Sequence, residues 1–284
     1  MGAVRRSAER PAALIVDFGG PVLVTPFELA EQHAPGTPIH ELLHGRGPLA
    51  SEEQPDPDWA DLQAELITER DYWDHRALEW AELGGGGGGS IREMIAHLYD
   101  PPRPGMVRAG ALALLHEAKL AGHPIGVLTN DLRAFHSDEW IAQLHVLDDV
   151  DVLVDGSVEG FLKPHPRLYE LMAERLGVGY DEMVFVDDQM ANVRGAEALG
   201  ITTVRFDVRP MAGGSRWSRL IAKVTRTAPI ISVMTTVVRP ATAPAEIRVA
   251  NPSLPRSANA VASAASGLMS SYLTMPVMTS ATAT

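Results

Sequence analysis

A doubly wound parallel α/β sheet is the fold class this chain predicts, and three observations carry it. Between residues 106 and 206, short apolar runs alternate with stretches of helical spacing; strands alternating with helices imply a parallel sheet. The helical stretches stop at glycines, Gly122, Gly177 and Gly200, as helices commonly do. The apolar runs also deliver polar residues at their ends. Leu14-Ile15-Val16 ends in Asp17, and Ile125-Gly126-Val127-Leu128 ends in Thr129. The segment after Val152-Leu153-Val154 reaches Lys163, and Met183-Val184-Phe185-Val186 ends in Asp187-Asp188. In an open parallel sheet the carboxyl ends of the strands form the ligand crevice.

Taken in order, residues 11–23 read as a buried strand and a tight Gly19-Gly20-Pro21 turn. Residues 24–103 are rich in Glu, Asp, Trp and His, with a helix predicted from Trp59 to Leu83. They read as a helical cap inserted after the first strand. The glycines Gly84 to Gly89 break the helical pattern and predict a flexible loop. Met106 to Ala121 has apolar positions Val107, Ala111, Leu114, Leu115 and Ala118, a helix. A strand is expected over 123–129, a short helix over 140–147 and a strand over 150–154. Leu168, Leu171, Met172 and Leu176 mark a helix over 166–176. A strand over 183–186, a helix over 191–199 and a strand over 201–206 complete the pattern. The expected plan is an α/β core of residues 11–23 and 104–210, a cap of 24–103, and a Ser/Thr/Ala/Pro-rich tail of 211–284. In the tail a helix is expected over 216–224 and a strand-like run over 230–238. Beyond Val238 no amphipathic pattern remains, so the tail is expected to be partly disordered and dispensable for folding.

With 284 residues and 45% hydrophobic content the chain can bury a substantial core. It has no cysteine, which excludes disulfides, thiolate catalysis and cysteine zinc sites. The apolar stretch after Met1-Gly-Ala-Val-Arg-Arg runs straight into Asp17, which fits a core strand better than a signal peptide. No stretch resembles a membrane span, and a cytoplasmic location is expected. Net charge is -12, unevenly spread: Val208 to Thr284 carry eight Lys and Arg and one acid, Glu246, leaving the rest at -19. An acidic body argues against nucleic acid as a partner, while a small phosphorylated metabolite remains compatible.

Two adjacent carboxylates after a buried strand are hard to explain by packing, because buried charges are paired or bind metal. A nucleophile candidate, a hydroxyl, an ammonium and a carboxylate pair are the equipment of metal-assisted phosphoryl transfer. Each has a plain alternative: a turn aspartate, a helix-capping Thr129-Asn130, a solvated loop lysine. Together, Asp17-Phe-Gly-Gly-Pro-Val, Leu128-Thr129-Asn130, Lys163-Pro164 and Val186-Asp187-Asp188 with Asn192 resemble the four motifs of the haloacid dehalogenase superfamily. The stretch Phe161 to Tyr169 and the run Val184 to Thr203 are similar to the subgroup containing the soluble epoxide hydrolase phosphatase domain and sugar-phosphate phosphatases. The resemblance implies a Mg2+-dependent phosphatase acting on a small organic phosphate. Asp17 would be the nucleophile forming an aspartyl-phosphate. Thr129 and Asn130 would contact the phosphate, and Lys163 would offset its charge. Asp17, Asp188 and the Gly19 carbonyl would hold the metal, with Asp187 beside them; Asp187 and Asn192 would orient the metal shell or Lys163.

One position departs from that pattern. Relatives that are phosphatases generally carry an acid/base Asp where this chain has Gly19, and Pro21 replaces a usual Thr or Val. A catalytically weakened binding protein is therefore the runner-up reading, followed by a dehalogenase, which needs no acidic pair. A competing motif, His40-Glu41-Leu42-Leu43-His44, matches the H-E-x-x-H zinc pattern. Pro38, Gly45 and Gly47 make the helix too short, and Ala50 stands where an extended version has a third His. The expectation is a turn with Leu42 and Leu43 packed and the histidines solvated. Trp59, Trp73 and Trp80 are expected in the core of the cap.

Overall fold

The computed structural model describes residues 12–209, and the expected tail elements over 216–224 and 230–238 lie outside them. Five strands, β1 (Ala13–Val16), β2 (Ile125–Thr129), β3 (Val152–Asp155), β4 (Met183–Asp187) and β5 (Thr202–Arg205), form one sheet in the order β3-β2-β1-β4-β5. Every pairing is parallel. Alternate residues of β1 feed two different cores. Leu14 and Val16 join Val127, Val184 and Val186 on one face, while Ala13 and Ile15 join Leu128 and Phe185 on the other. A strand buried on both faces reads as a continuous apolar run, which is why β1, β2 and β4 were legible. The lateral order reverses between β1 and β4, where Asp17 N–H donates to the Val186 carbonyl at 2.8 Å. That reversal is where doubly wound sheets bind ligands.

Between β1 and β2 the chain is helical: α1 (Pro26–Ala30), α2 (Pro38–Leu43), α3 (Pro57–Gln63), α4 (Glu69–Glu82), α5 (Ile91–Tyr99) and α6 (Ala109–Leu120), with short 3-10 turns at Gly47–Leu49 and Gly87–Gly89. The later helices are α7 (Leu132–Phe135), α8 (Asp138–Ile141), α9 (Gly156–Glu159), α10 (Pro166–Leu176) and α11 (Met190–Glu197). Phe27, Tyr72, Trp73, Trp80 and Leu98 of the insertion belong to the same apolar cluster as Leu14 and Val16, so it packs continuously with one sheet face. The other face is covered by Leu168, Tyr169 and Met172 of α10 and Ala196 of α11. Among the described residues no helix is long and apolar enough to cross a membrane.

Three local expectations are corrected. The helix expected over 59–83 is two helices. Its pattern is interrupted at Glu65, which has a left-handed φ of 59°, and Thr68 restarts it. Thr68 and Asp71 form a reciprocal capping box, which satisfies backbone donors and fixes a new N-terminus. The helix expected from Met106 begins at Ala109, because Met106 to Arg108 pair with the strand-like segment after β1. There Val24 N–H donates to Met106 and Arg108 N–H to Val22, at 2.8 and 2.9 Å. The helix expected over 140–147 splits into α8 and a 3-10 turn, His145–Asp149. Within the glycine run a Cβ on Gly85 would lie 2.1 Å from the Trp80 indole nitrogen, so the backbone approaches that ring where a larger residue would clash.

Around the H-E-x-x-H motif, α2 ends at Leu43 and leaves His44 beyond the helix, its Nδ1 2.8 Å from Glu31. Leu42 and Leu43 are fully buried. His40 is not solvated as expected: its side chain is only 12% exposed and stacks on His44 with centroids 4.5 Å apart.

Candidate active site

The carboxyl ends of β1, β2 and β4 bring Asp17, Thr129 and Asp187 to one edge of the sheet, and the loop before α10 adds Lys163. Lys163 decides the site's character. A loop lysine is normally solvated, yet this side chain is 1% exposed. Its Nζ lies 2.7 Å from Asp17 Oδ1 and 2.7 Å from Asp187 Oδ2. Its backbone is clamped to the end of β2: Lys163 N–H donates to Asn130 Oδ1 at 2.7 Å, and Asn130 Nδ2 donates to the Lys163 carbonyl at 3.4 Å. Thr129 and Asn130 therefore do not cap the next helix.

Asp187 is fully buried at the end of β4 and fully occupied. Its Oδ1 accepts from Gln189 N–H at 2.8 Å, and Asn192 Nδ2 donates to both oxygens at 3.2 and 3.1 Å. Asp17 Oδ1 also accepts from Phe18 N–H at 2.7 Å. Asp188 approaches from the far side and packs on Gly20. A Cβ at Gly20, whose φ is +80°, would lie 2.7 Å from the Asp188 carboxyl carbon. Gly20→Ala is expected to cost about 1–2 kcal/mol from the left-handed backbone alone and to displace Asp188. A melting temperature lower by a few degrees checks this.

Asp17, Asp187 and Asp188 each offer an oxygen within 4.8 Å of the others. Three carboxylates therefore gather beside one ammonium, which contacts two of them. Burial pushes Asp17 up to about 8; Lys163 pulls the other way and Asp187 adds to the rise. Asp188 is pushed well above the carboxylate range by burial, then by Asp187 and Asp17. Burial opposes the charge on Lys163, but Asp17 and Asp187 outweigh it and hold it above its ordinary value. Ionised together, the three carboxylates would outnumber the one ammonium and present hard oxygens, a donor set that suits Mg2+.

Asp17, Gly19, Thr129, Asn130 and Lys163 open onto a cavity of about 120 Å³, walled on its other side by the insertion through Trp73, Ile95 and Tyr99. Trp73, expected as core alone, is both core and cavity wall. A second cleft of about 720 Å³ runs from Lys163 and Asn192 past Gln63 and Ile67. Sequence reading missed two residues that both cavities share, Asp131 just past β2 and Glu69 in the first turn of α4. Glu69 is half-buried. Burial pushes its carboxyl up, against the pull of Lys163 and with the push of Asp131 and Asp187. The T-x-x-D pattern at Thr68 marks a helix start, but nothing in it says which way the first turn faces.

The chain is 39% identical over 95 residues to Phosphatase MT3486 of Mycobacterium tuberculosis, a stretch covering 33% of this chain and 43% of that protein. It is 28% identical over 146 residues to a phosphoglycolate phosphatase of Yersinia pseudotuberculosis, covering 50% of this chain and 60% of that protein. The matched stretches thus span about half the length of these curated relatives. A solved structure of the HAD-hydrolase YfnB of Bacillus subtilis, at 15% identity, superposes with a TM-score of 0.49 over 72% of this chain and 91% of that one. The family model for haloacid dehalogenase-like hydrolases matches residues 13–200. This chain belongs to the haloacid dehalogenase-like hydrolase family.

Proposed function

We propose that this protein is a Mg2+-dependent phosphatase that hydrolyses a small organic phosphate through an aspartyl-phosphate on Asp17. The observation that carries the reading is the Lys163 ammonium, held 2.7 Å from both Asp17 and Asp187 beside a third carboxylate. Residues 24–103 act as the cap over a core of 11–23 and 104–210, closing the cavity against water. Asp17, Asp188 and the Gly19 carbonyl would hold the metal, which would neutralise the phosphoryl group against the attacking carboxylate. Asp17 attacks phosphorus as the bond to the leaving oxygen breaks, and water then cleaves the acyl phosphate. Thr129 and Asn130 donate hydrogen bonds to phosphoryl oxygens. Asp187, held by Gln189 and Asn192, keeps Lys163 charged and aimed at Asp17.

A phosphate-release screen over small alcohol phosphates, with Mg2+ and with chelator, tests the reading. Release is expected with Mg2+, lost with chelator and restored by added Mg2+. Lys163 is the sole Lys or Arg among the described residues lining the small cavity, and two carboxylates already share it. Esters bearing a second acidic group, such as phosphoglycolate, are therefore expected to turn over more slowly than esters of uncharged alcohols. The binder reading is favoured by Gly19, which offers no proton donor; it prevails if phosphorylated ligands bind without turnover. Halide release from 2-haloacids without metal would overturn the phosphatase assignment.

A further inference from the structure

An alkoxide leaves phosphorus as a strong base, so an unactivated ester needs a proton from the protein. The turn after Asp17 supplies none, since Phe18, Gly19, Gly20 and Pro21 carry no acid. The other titratable groups on the cavity wall are committed. Lys163 is shared between two carboxylates. Asp131 is paired with Arg70, whose Nε lies 3.2 Å from Asp131 Oδ1. Tyr99 donates its hydroxyl to the Val24 carbonyl at 2.6 Å. Burial pushes His136 down to about 4 and keeps it neutral, its ring stacked 3.8 Å from Trp140. Glu69 remains, and it faces the same cavity as Asp17 and Gly19.

We propose that Glu69, carried into the cavity by the first turn of α4, is the acid that protonates the leaving oxygen, in place of a donor at Gly19. This rests on the phosphatase reading above. The placement of Glu69 is over-determined. The capping box of Thr68 and Asp71 starts α4 one residue earlier. Arg70 latches that turn to Asp131, just past the end of β2. Both steps balance around this one group. As the Asp17 oxygen bonds to phosphorus, the electron pair of the breaking P–O bond goes to the leaving oxygen, which takes the Glu69 proton and departs as a neutral alcohol. Water then attacks phosphorus, returns a proton to the Glu69 carboxylate, and releases phosphate and the Asp17 carboxylate.

Glu69→Gln and the parent are compared, with saturating Mg2+, on ethyl and glycerol phosphates and on p-nitrophenyl phosphate. On the alkyl esters kcat/KM is expected to fall about 100-fold or more, while on the aryl ester it changes by less than about threefold, because nitrophenolate leaves unprotonated. The aryl reaction should now show a burst of nitrophenolate before a slower steady state, since attack by water has lost its base. Glu69→Asp should recover part of the alkyl activity. Gly19→Asp, placed where a Cβ meets no atom within 4 Å, should recover it in the Glu69→Gln background. Preserved aryl kcat/KM serves as the folding control. Equal losses on both ester types, unchanged alkyl turnover, or a parent that cleaves only the aryl ester would each overturn the assignment of Glu69. A parent that releases phosphate from none of them would instead overturn the phosphatase reading itself.

Discussion

Asp17→Asn is expected to abolish phosphate release while leaving the protein at least as stable as the parent. Loss of the nucleophile should lower kcat on the order of 10,000-fold or more, because an amide neither attacks phosphorus nor ligates Mg2+ well. Stability should move the other way. Asp17 is 8% exposed, and burial and Asp187 push its carboxyl up to about 8 despite Lys163, so its charge is costly in the folded protein. An amide of the same shape removes that cost, and Lys163 keeps Asp187 as a partner. The measurement is phosphate release alongside a melting curve, both without metal and with Mg2+. Parent-like turnover in the variant would exclude the covalent route. A large loss of melting temperature would mean that the Asp17–Lys163 contact is chiefly structural.

Lys163→Met should damage both activity and stability. Removing one partner of a buried ion pair leaves an uncompensated charge, typically costing about 3–5 kcal/mol. Here two carboxylates lose the same ammonium, and Asp187 is fully buried. For a domain of this size the melting temperature should fall by roughly 10 °C. The sign of the pH dependence follows from the charges. Without Lys163 the pull that holds Asp17 down is gone, so its folded-state value rises further above about 8. Below that pH Asp17 is protonated in both folded proteins and the deficit is smallest; it grows as pH rises through about 8, where the parent's Asp17 ionises and the variant's does not. Melting curves of variant and parent at pH 6 and at pH 9 test this. A deficit independent of pH would point to lost packing of the lysine stem rather than unpaired carboxylates.

Legibility differed sharply between residues of the site. Asp17, Thr129, Asp187 and Asp188 were visible because each ends an apolar run, and the end of a parallel strand is a place defined by local sequence. Lys163 was visible as the residue reached after the third apolar run and through its motif, but its burial was not. Its burial between two carboxylates follows from the Asn130 clamp, made across 33 residues of chain. The metal-ligand grouping drawn from the motifs included Asp187, which lies with Asp17 and Asp188 in one cluster of carboxylate oxygens and also accepts from Lys163, Gln189 and Asn192. Those contacts across the chain, which tie Asp187 to Lys163, had no local signal. Glu69 was invisible. It belongs to a polar first turn whose direction is set by the Arg70–Asp131 pair, a contact 61 residues apart.

By itself the sequence determined the alternation of strands and helices, and hence a parallel sheet with polar residues at one edge. Those features arise from side-chain periodicity, capping residues and glycines within a few positions of one another. Only the tertiary structure decided the strand order β3-β2-β1-β4-β5, the 2.7 Å contacts of Lys163 with Asp17 and Asp187, and the entry of Glu69 into the cavity. These depend on how segments far apart in the chain pack, and on which buried charges must find partners once water is excluded. No local pattern encodes either.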